Sequence, residues 1–113
     1  MQEYYDLYVE GTKLNFVPRK NGAAGFESAL PEPPANHVAA GILGDPELMY
    51  CVAFRKEDGP GGVFAMYDED SLLFVAVAES NLAYSLGLSQ MGRMVTYARY
   101  GADIFDALDE NDD

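Results

Sequence analysis

The sequence predicts an α+β fold. A small antiparallel β-sheet of about four to five strands, within residues 4–67, would be covered by two C-terminal helices at about 69–86 and 89–110. Three observations lead there. Residues 4–17 and 48–67 hold alternating or continuous apolar runs between Gly- and Pro-bearing turns, as strands do. Apolar or small residues at Met91, Met94, Ala98, Gly101, Phe105 and Leu108 recur three or four apart, which sets them on one helical stripe flanked by Tyr97 and Ile104. The chain has 113 residues, 49% of them hydrophobic, which predicts a single folded domain, 1–113, with a modest core.

Taken in order, Tyr4 to Val9 alternates, with Tyr5, Leu7 and Val9 on one face and Tyr4, Asp6 and Tyr8 on the other. Glu10-Gly11-Thr12 can turn, and Lys13 to Val17 continues with Leu14 and Phe16 on one face, so a hairpin is predicted. Arg19 to Asn36 is irregular, broken by Gly22, Gly25, Pro31, Pro33 and Pro34. His37 to Leu43 is a short apolar run that fits a strand or one helical turn, with a strand preferred, followed by a turn at Gly44-Asp45-Pro46. Leu48 to Arg55 alternates with apolar residues on both faces, the pattern of a central strand covered on two sides. Lys56 to Gly62 is a hairpin connection and not a phosphate loop, since it has neither GxxxxGK[ST] nor GxGxxG and two acids precede its glycines. Val63 to Tyr67 returns as a strand.

Asp68-Glu69-Asp70-Ser71 then precedes the apolar run Leu72 to Leu86. Acids at a helix start meet the positive end of its dipole, and Gly87 sits where a left-handed terminator is expected, so a helix over 69–86 is predicted. The competing reading is a buried strand, because Leu72 to Ala78 is continuously apolar and includes the β-branched Val75 and Val77.

Charge is the strongest compositional signal. Nineteen acids against seven bases give −12. Residues 1–56 hold seven acids and five bases, −2, whereas residues 57–113 hold twelve acids and two bases, −10. Such a half repels nucleic acid and anionic lipid and attracts basic surfaces. Solubility or adaptation to a salty cytoplasm would give the same totals. The N-terminus has no basic segment followed by an apolar run, and no apolar stretch approaches ~18 residues, so a cytoplasmic protein with neither signal peptide nor membrane span is expected. Cys51 is the sole cysteine and reads as a small buried hydrophobe.

No catalytic constellation emerges. One His and one Cys cannot form a CxxC or HxxxH metal site, no G-x-S-x-G is present, and Asp68-Glu69-Asp70 lacks the pattern of a calcium loop. His37 and Cys51 are the one arithmetically possible Cys–His pair, and nothing in the sequence marks either as activated. The expectation is therefore a non-enzyme without metal or cofactor.

One local resemblance stands out. Ala83, Gly87 four residues later, the flanking Leu86 and Leu88, and then Ser89 and Gln90 resemble the first half of a helix-turn-helix. The resemblance implies a DNA-binding or adaptor protein acting through residues 79–100, with Arg93 and Arg99 facing phosphates. It departs at Arg93 and Thr96, where the family has apolar residues. Six acids in the last eleven residues would also be repelled by DNA, which carries about one charge per 1.7 Å of axis.

The main functional expectation rests on that acidic end. At ~100° per residue, Asp103, Asp106, Asp109, Glu110 and Asp113 fall on one arc of a helix, away from Ile104, Phe105 and Leu108. Their spacing, about one charge per 3 Å, is comparable to the ~3.4 Å of phosphates along one DNA strand. Acids near a helix C-terminus oppose its dipole, so helix stability does not account for them. The sequence therefore predicts a small acidic binding or inhibitor protein that occupies a basic, nucleic-acid-binding surface of a partner, possessing the general character of phage anti-defence and nuclease immunity proteins. Tyr97 and Tyr100 would anchor the contact, and Asp68, Glu69 and Asp70 would add charge.

Overall fold

The computed structural model describes residues 3–19, 32–69 and 71–99. Six strands form one sheet: β1 (Glu3–Glu10), β2 (Lys13–Pro18), β3 (His37–Gly44), β4 (Met49–Lys56), β5 (Gly62–Asp68) and β6 (Ser71–Ala78). A helix, α1 (Asn81–Arg99), follows. The sheet order is β2-β1-β6-β5-β4-β3. Neighbours pair antiparallel except β1 and β6, which run parallel with Tyr5 opposite Ala76.

The expected hairpins are present. β1 and β2 pair through Tyr8↔Asn15 and Val9↔Leu14 around the Gly11 turn. The glycines after Lys56 join β4 to β5, and Gly61 has a φ of 88°, a left-handed conformation that L side chains rarely adopt. His37–Gly44 is a strand and forms one edge of the sheet.

Three expectations are corrected. The sheet has six strands and is mixed, where four or five antiparallel strands were predicted. The predicted helix over 69–86 does not form; residues 71–78 are β6, between β1 and β5. Flanked on both edges and packed on both faces, that strand needs apolar residues at every position, which is why its sequence carries no helical period. Of the acids ahead of it, Asp68 ends β5 and Glu69 follows in a turn with a φ of 53°.

The predicted boundary between two helices near Gly87 is also absent. Helix α1 runs through Gly87, which is buried against the sheet. Residues 100–110, the remainder of the predicted second helix, lie outside the described residues.

Helix α1 lies on one face of the sheet. Leu7, Cys51, Ala53, Phe64, Met66, Phe74 and Ala76 meet Ala83, Tyr84, Met91, Met94 and Val95 there. Met91 and Met94 are thus core residues, as their spacing predicts, while Ala98 and Gly101 fall beyond the described side chains. The other face carries a second cluster of Phe54, Val63, Ala65, Tyr67, Val75 and Val77. β4 is therefore apolar on both faces, although it stands next to the edge strand and not at the centre.

Helix α1 begins at a cap. The Ala83 N–H donates to Ser80 Oγ at 3.0 Å, and the Gly61 N–H donates to Asn81 Oδ1 at 3.1 Å, tying the helix start to the β4–β5 loop. Among the described residues no helix is long and apolar enough to cross a membrane.

Candidate functional site

The antiparallel register brings two turns to one end of the sheet. Gly44 ends β3, Met49 begins β4, and Met49 pairs with Asp68 at the end of β5. The turn over 45–48 is closed by Leu48 N–H donating to the Asp45 carbonyl at 2.9 Å, and by the Asp45 side chain accepting from the Glu47 N–H at 2.9 Å. The Glu69 N–H donates to the Leu48 carbonyl at 2.8 Å, joining the β5–β6 turn to it.

Asp45, Glu47, Asp68 and Glu69 are thus gathered at one pole, with no Lys or Arg in either turn. Glu47, Asp68 and Glu69 are exposed. Leu48, in the same turn as Asp45 and Glu47, is an apolar side chain 51% exposed. The later turns of α1 come to the same pole, where Gly92, Val95 and Thr96 face Leu43, Asp45 and Leu48 across a cleft of about 280 Å³.

Aromatic residues adjoin this pole on the face opposite α1. Tyr50 and Tyr67, paired across β4 and β5, stack with ring centroids 5.0 Å apart and 12° between planes. Burial pushes the Tyr67 phenol above its ordinary value, and neighbouring Tyr50 and Tyr4 add to the shift. Tyr4 and Tyr50 remain half-buried. A phenol ring that stays protonated offers both apolar area and a hydroxyl to a partner.

Of the site residues predicted from sequence, Asp68 and Glu69 belong to this pole. Asp70, Tyr100, Asp103, Asp106, Asp109, Glu110 and Asp113 lie outside the described residues. Tyr97 belongs to the last turn of α1. Asp45, Glu47 and Leu48 were missed, because the sequence shows them only as a turn and a strand start; their approach to Asp68 and Glu69 depends on strand pairing.

The remaining chemistry is quiet. Cys51 is wholly buried on β4, and its thiol is pushed up to about 12 by that burial. His37 pairs with Lys56 at one end of the β3–β4 ladder while Cys51 pairs with Leu43 near the other, so the two do not meet. Among the described residues no group of three or more His, Cys, Asp or Glu side chains is placed to hold a metal ion.

The helix-turn-helix geometry implied by residues 79–90 is not formed either. Residues 81–99 are one helix, and a Cβ on Gly87 would stand 2.6 Å from Phe64 Cε2. That glycine serves close helix–sheet packing in place of a turn. No protein-family model, curated protein or solved structure matches the chain.

Proposed function

We propose that this chain is a small acidic, non-enzymatic binding or inhibitor protein whose acidic pole occupies a basic, nucleic-acid-binding surface of a partner protein. The phage anti-defence and nuclease immunity proteins are of this general kind. The observation that supports the reading best is the convergence of charge at one end. Asp45, Glu47, Asp68 and Glu69 share that end with the later turns of α1. By sequence alone, residues 100–113 hold six acids, Asp103, Asp106, Asp109, Glu110, Asp112 and Asp113, and no base. Like charges held together are unfavourable in the free protein, and a cationic partner relieves that repulsion.

Charge speeds encounter, and buried apolar or aromatic groups lengthen residence. Exposed Leu48, together with Tyr97 and Tyr100, would supply the latter. The test is partner capture at low salt with elution by a salt step, followed by titration of the captured protein. Two neutralised sets are compared with the parent chain: Asp68→Asn with Glu69→Gln, and Asp103→Asn with Asp106→Asn and Glu110→Gln. Each set is expected to weaken binding by about tenfold or more and to flatten its salt dependence. Unchanged affinity in both sets removes the proposal.

A further inference from the structure

We propose that the β3 edge of the sheet is a pairing surface for a second copy of this chain, the two β3 strands joining antiparallel about a two-fold axis into one continuous sheet. β3 is the outermost strand beyond β4, so among the described residues one side of its backbone has no neighbour in the sheet. Such an edge is a template for another strand, and folded proteins blunt it with lysine, proline, inward charge or short length.

The two edges of this sheet differ in that respect. β2, the other edge, is six residues long, begins at Lys13 and ends at Pro18. β3 is eight residues long and holds no Asp, Glu, Lys, Arg or Pro. Its residues 38–42 are exposed at every position, where one face of a strand is ordinarily covered. Val38 is 47% and Ile42 58% exposed, so apolar area and backbone are bare along the same strand. In a chain of net charge −12, this uncharged edge is where two copies approach with least repulsion. Clefts of about 360 and 280 Å³ run between β3 and α1, so the helix does not close over the strand.

A second copy fits this edge because β3 can pair with itself. It carries one extra residue, Ala40, between the pairs Ala39↔Phe54 and Gly41↔Ala53. Val38 pairs with Arg55 and Leu43 with Cys51, both on the α1 face of β4, whereas Ala39 and Ile42 pair with Phe54 and Val52 on the other face. An antiparallel two-fold through the middle of β3 then sets Val38 against Leu43 and Ala39 against Ile42. Like faces meet, and no charge opposes a like charge. A bulge often guards an edge, but this one gives the self-pairing its matched faces.

Charge also favours the approach at both ends of the pair. Exposed Arg55 lies beside the start of β3, while Asp45 and Glu47 follow its end. Antiparallel pairing brings Arg55 of each copy to about two strand spacings, ~10 Å, from the end of the other copy's β3, comparable to the Debye length at physiological salt. The contact is closed by its symmetry, and the guarded β2 edge gives no site for a third copy. It does not rest on the partner binding proposed above.

The experiment is sedimentation velocity of the full chain from micromolar to millimolar concentration, paired with hydrogen exchange of the β3 amides that do not bond to β4. The parent chain is expected to pass from monomer to dimer, and exchange at those amides is expected to slow about tenfold or more in the dimer. Ile42→Lys puts a charge at an exposed position, so it is expected to melt with the parent at low concentration and to weaken dimerisation about tenfold or more. Val17→Lys, at an exposed position on β2, is expected to dimerise as the parent does. The proposal is overturned if the chain stays monomeric throughout, if Ile42→Lys dimerises as the parent does, or if assembly continues past the dimer. Exchange at these amides that is unchanged by dimerisation, or already slow in the monomer because another segment covers the edge, overturns it as well. The exchange measurement uses the parent chain, so it decides the matter without any variant.

Discussion

Gly87 and Phe64 hold α1 against the sheet at a distance that leaves no room for a methyl group: an added Cβ would lie 2.6 Å from Phe64 Cε2 and 3.1 Å from Leu7 Cδ1. Gly92, on the same helix, meets nothing within 4 Å. Alanine at the two positions is therefore expected to act in opposite directions. Gly87→Ala forces helix and sheet apart, at a cost of about 1–3 kcal/mol that outweighs the helix-propensity gain. Gly92→Ala gains roughly 0.5–1 kcal/mol from reduced freedom in the unfolded chain. Urea midpoints of the two variants measure both signs.

The cap of α1 gives a second prediction. Ser80 Oγ accepts from the Ala83 N–H at 3.0 Å. Ser80→Ala is expected to cost about 1 kcal/mol and to speed hydrogen exchange at Ala83. An unchanged exchange rate at Ala83 would show that the bond contributes nothing.

A third concerns the β5–β6 turn. Glu69 holds a φ of 53°, a conformation that costs a residue with a Cβ about 1–2 kcal/mol. Glu69→Ala and Glu69→Gly both remove the charge, but only glycine removes the strain. Glycine is expected to be the more stable of the two by about 1 kcal/mol in equilibrium denaturation, because unfolded-chain entropy offsets part of the relief.

Cys51 sets a pH dependence. Its thiol has an ordinary value of 9.0 and is pushed up to about 12 in the fold by burial. The folded state keeps a proton that the unfolded chain releases. The resulting stability is fully present below pH 9.0 and is lost as pH rises from there toward about 12. Tyr5 shifts in the same direction, from 10.0 to about 12, through burial and a hydrogen bond to Glu3. Cys51→Ala is expected to show a shallower loss of stability across this window. In the parent chain, alkylation by iodoacetamide near neutral pH is expected to proceed only through opening, so its rate is expected to rise with urea.

Much of the sheet was legible because its signals are local. The alternation over Tyr4 to Val9, the turn glycines at Gly11 and Gly61, and the two-faced apolar pattern of Leu48 to Arg55 each describe a strand or turn without reference to the rest of the chain. Residues 72–78 were ambiguous for a physical reason. A run buried on all sides carries no period, and helix or strand is then decided by what lies beside it. Here β1 and β5 lie beside it. Gly87 was misread because a left-handed terminator and a close-packing glycine look alike in sequence.

The candidate sites divide in the same way. The acidic surplus of residues 57–113 is a property of composition and was visible at once. The meeting of Asp45, Glu47 and Leu48 with Asp68 and Glu69 follows from the pairing of Met49 with Asp68 and from the hydrogen bond between Glu69 and Leu48.

The sequence alone determined that strands would occupy the first part of the chain, that Met91 and Met94 would face a core, that Cys51 would be buried, and that the second half would be strongly negative. These follow from side-chain chemistry and short-range spacing. Only the tertiary structure decided that β6 lies parallel to β1, that α1 runs unbroken past Gly87, and that Asp45 and Glu47 come to the same pole as Asp68 and Glu69. Each depends on contacts between segments distant in the chain, where burial and pairing outweigh local preference.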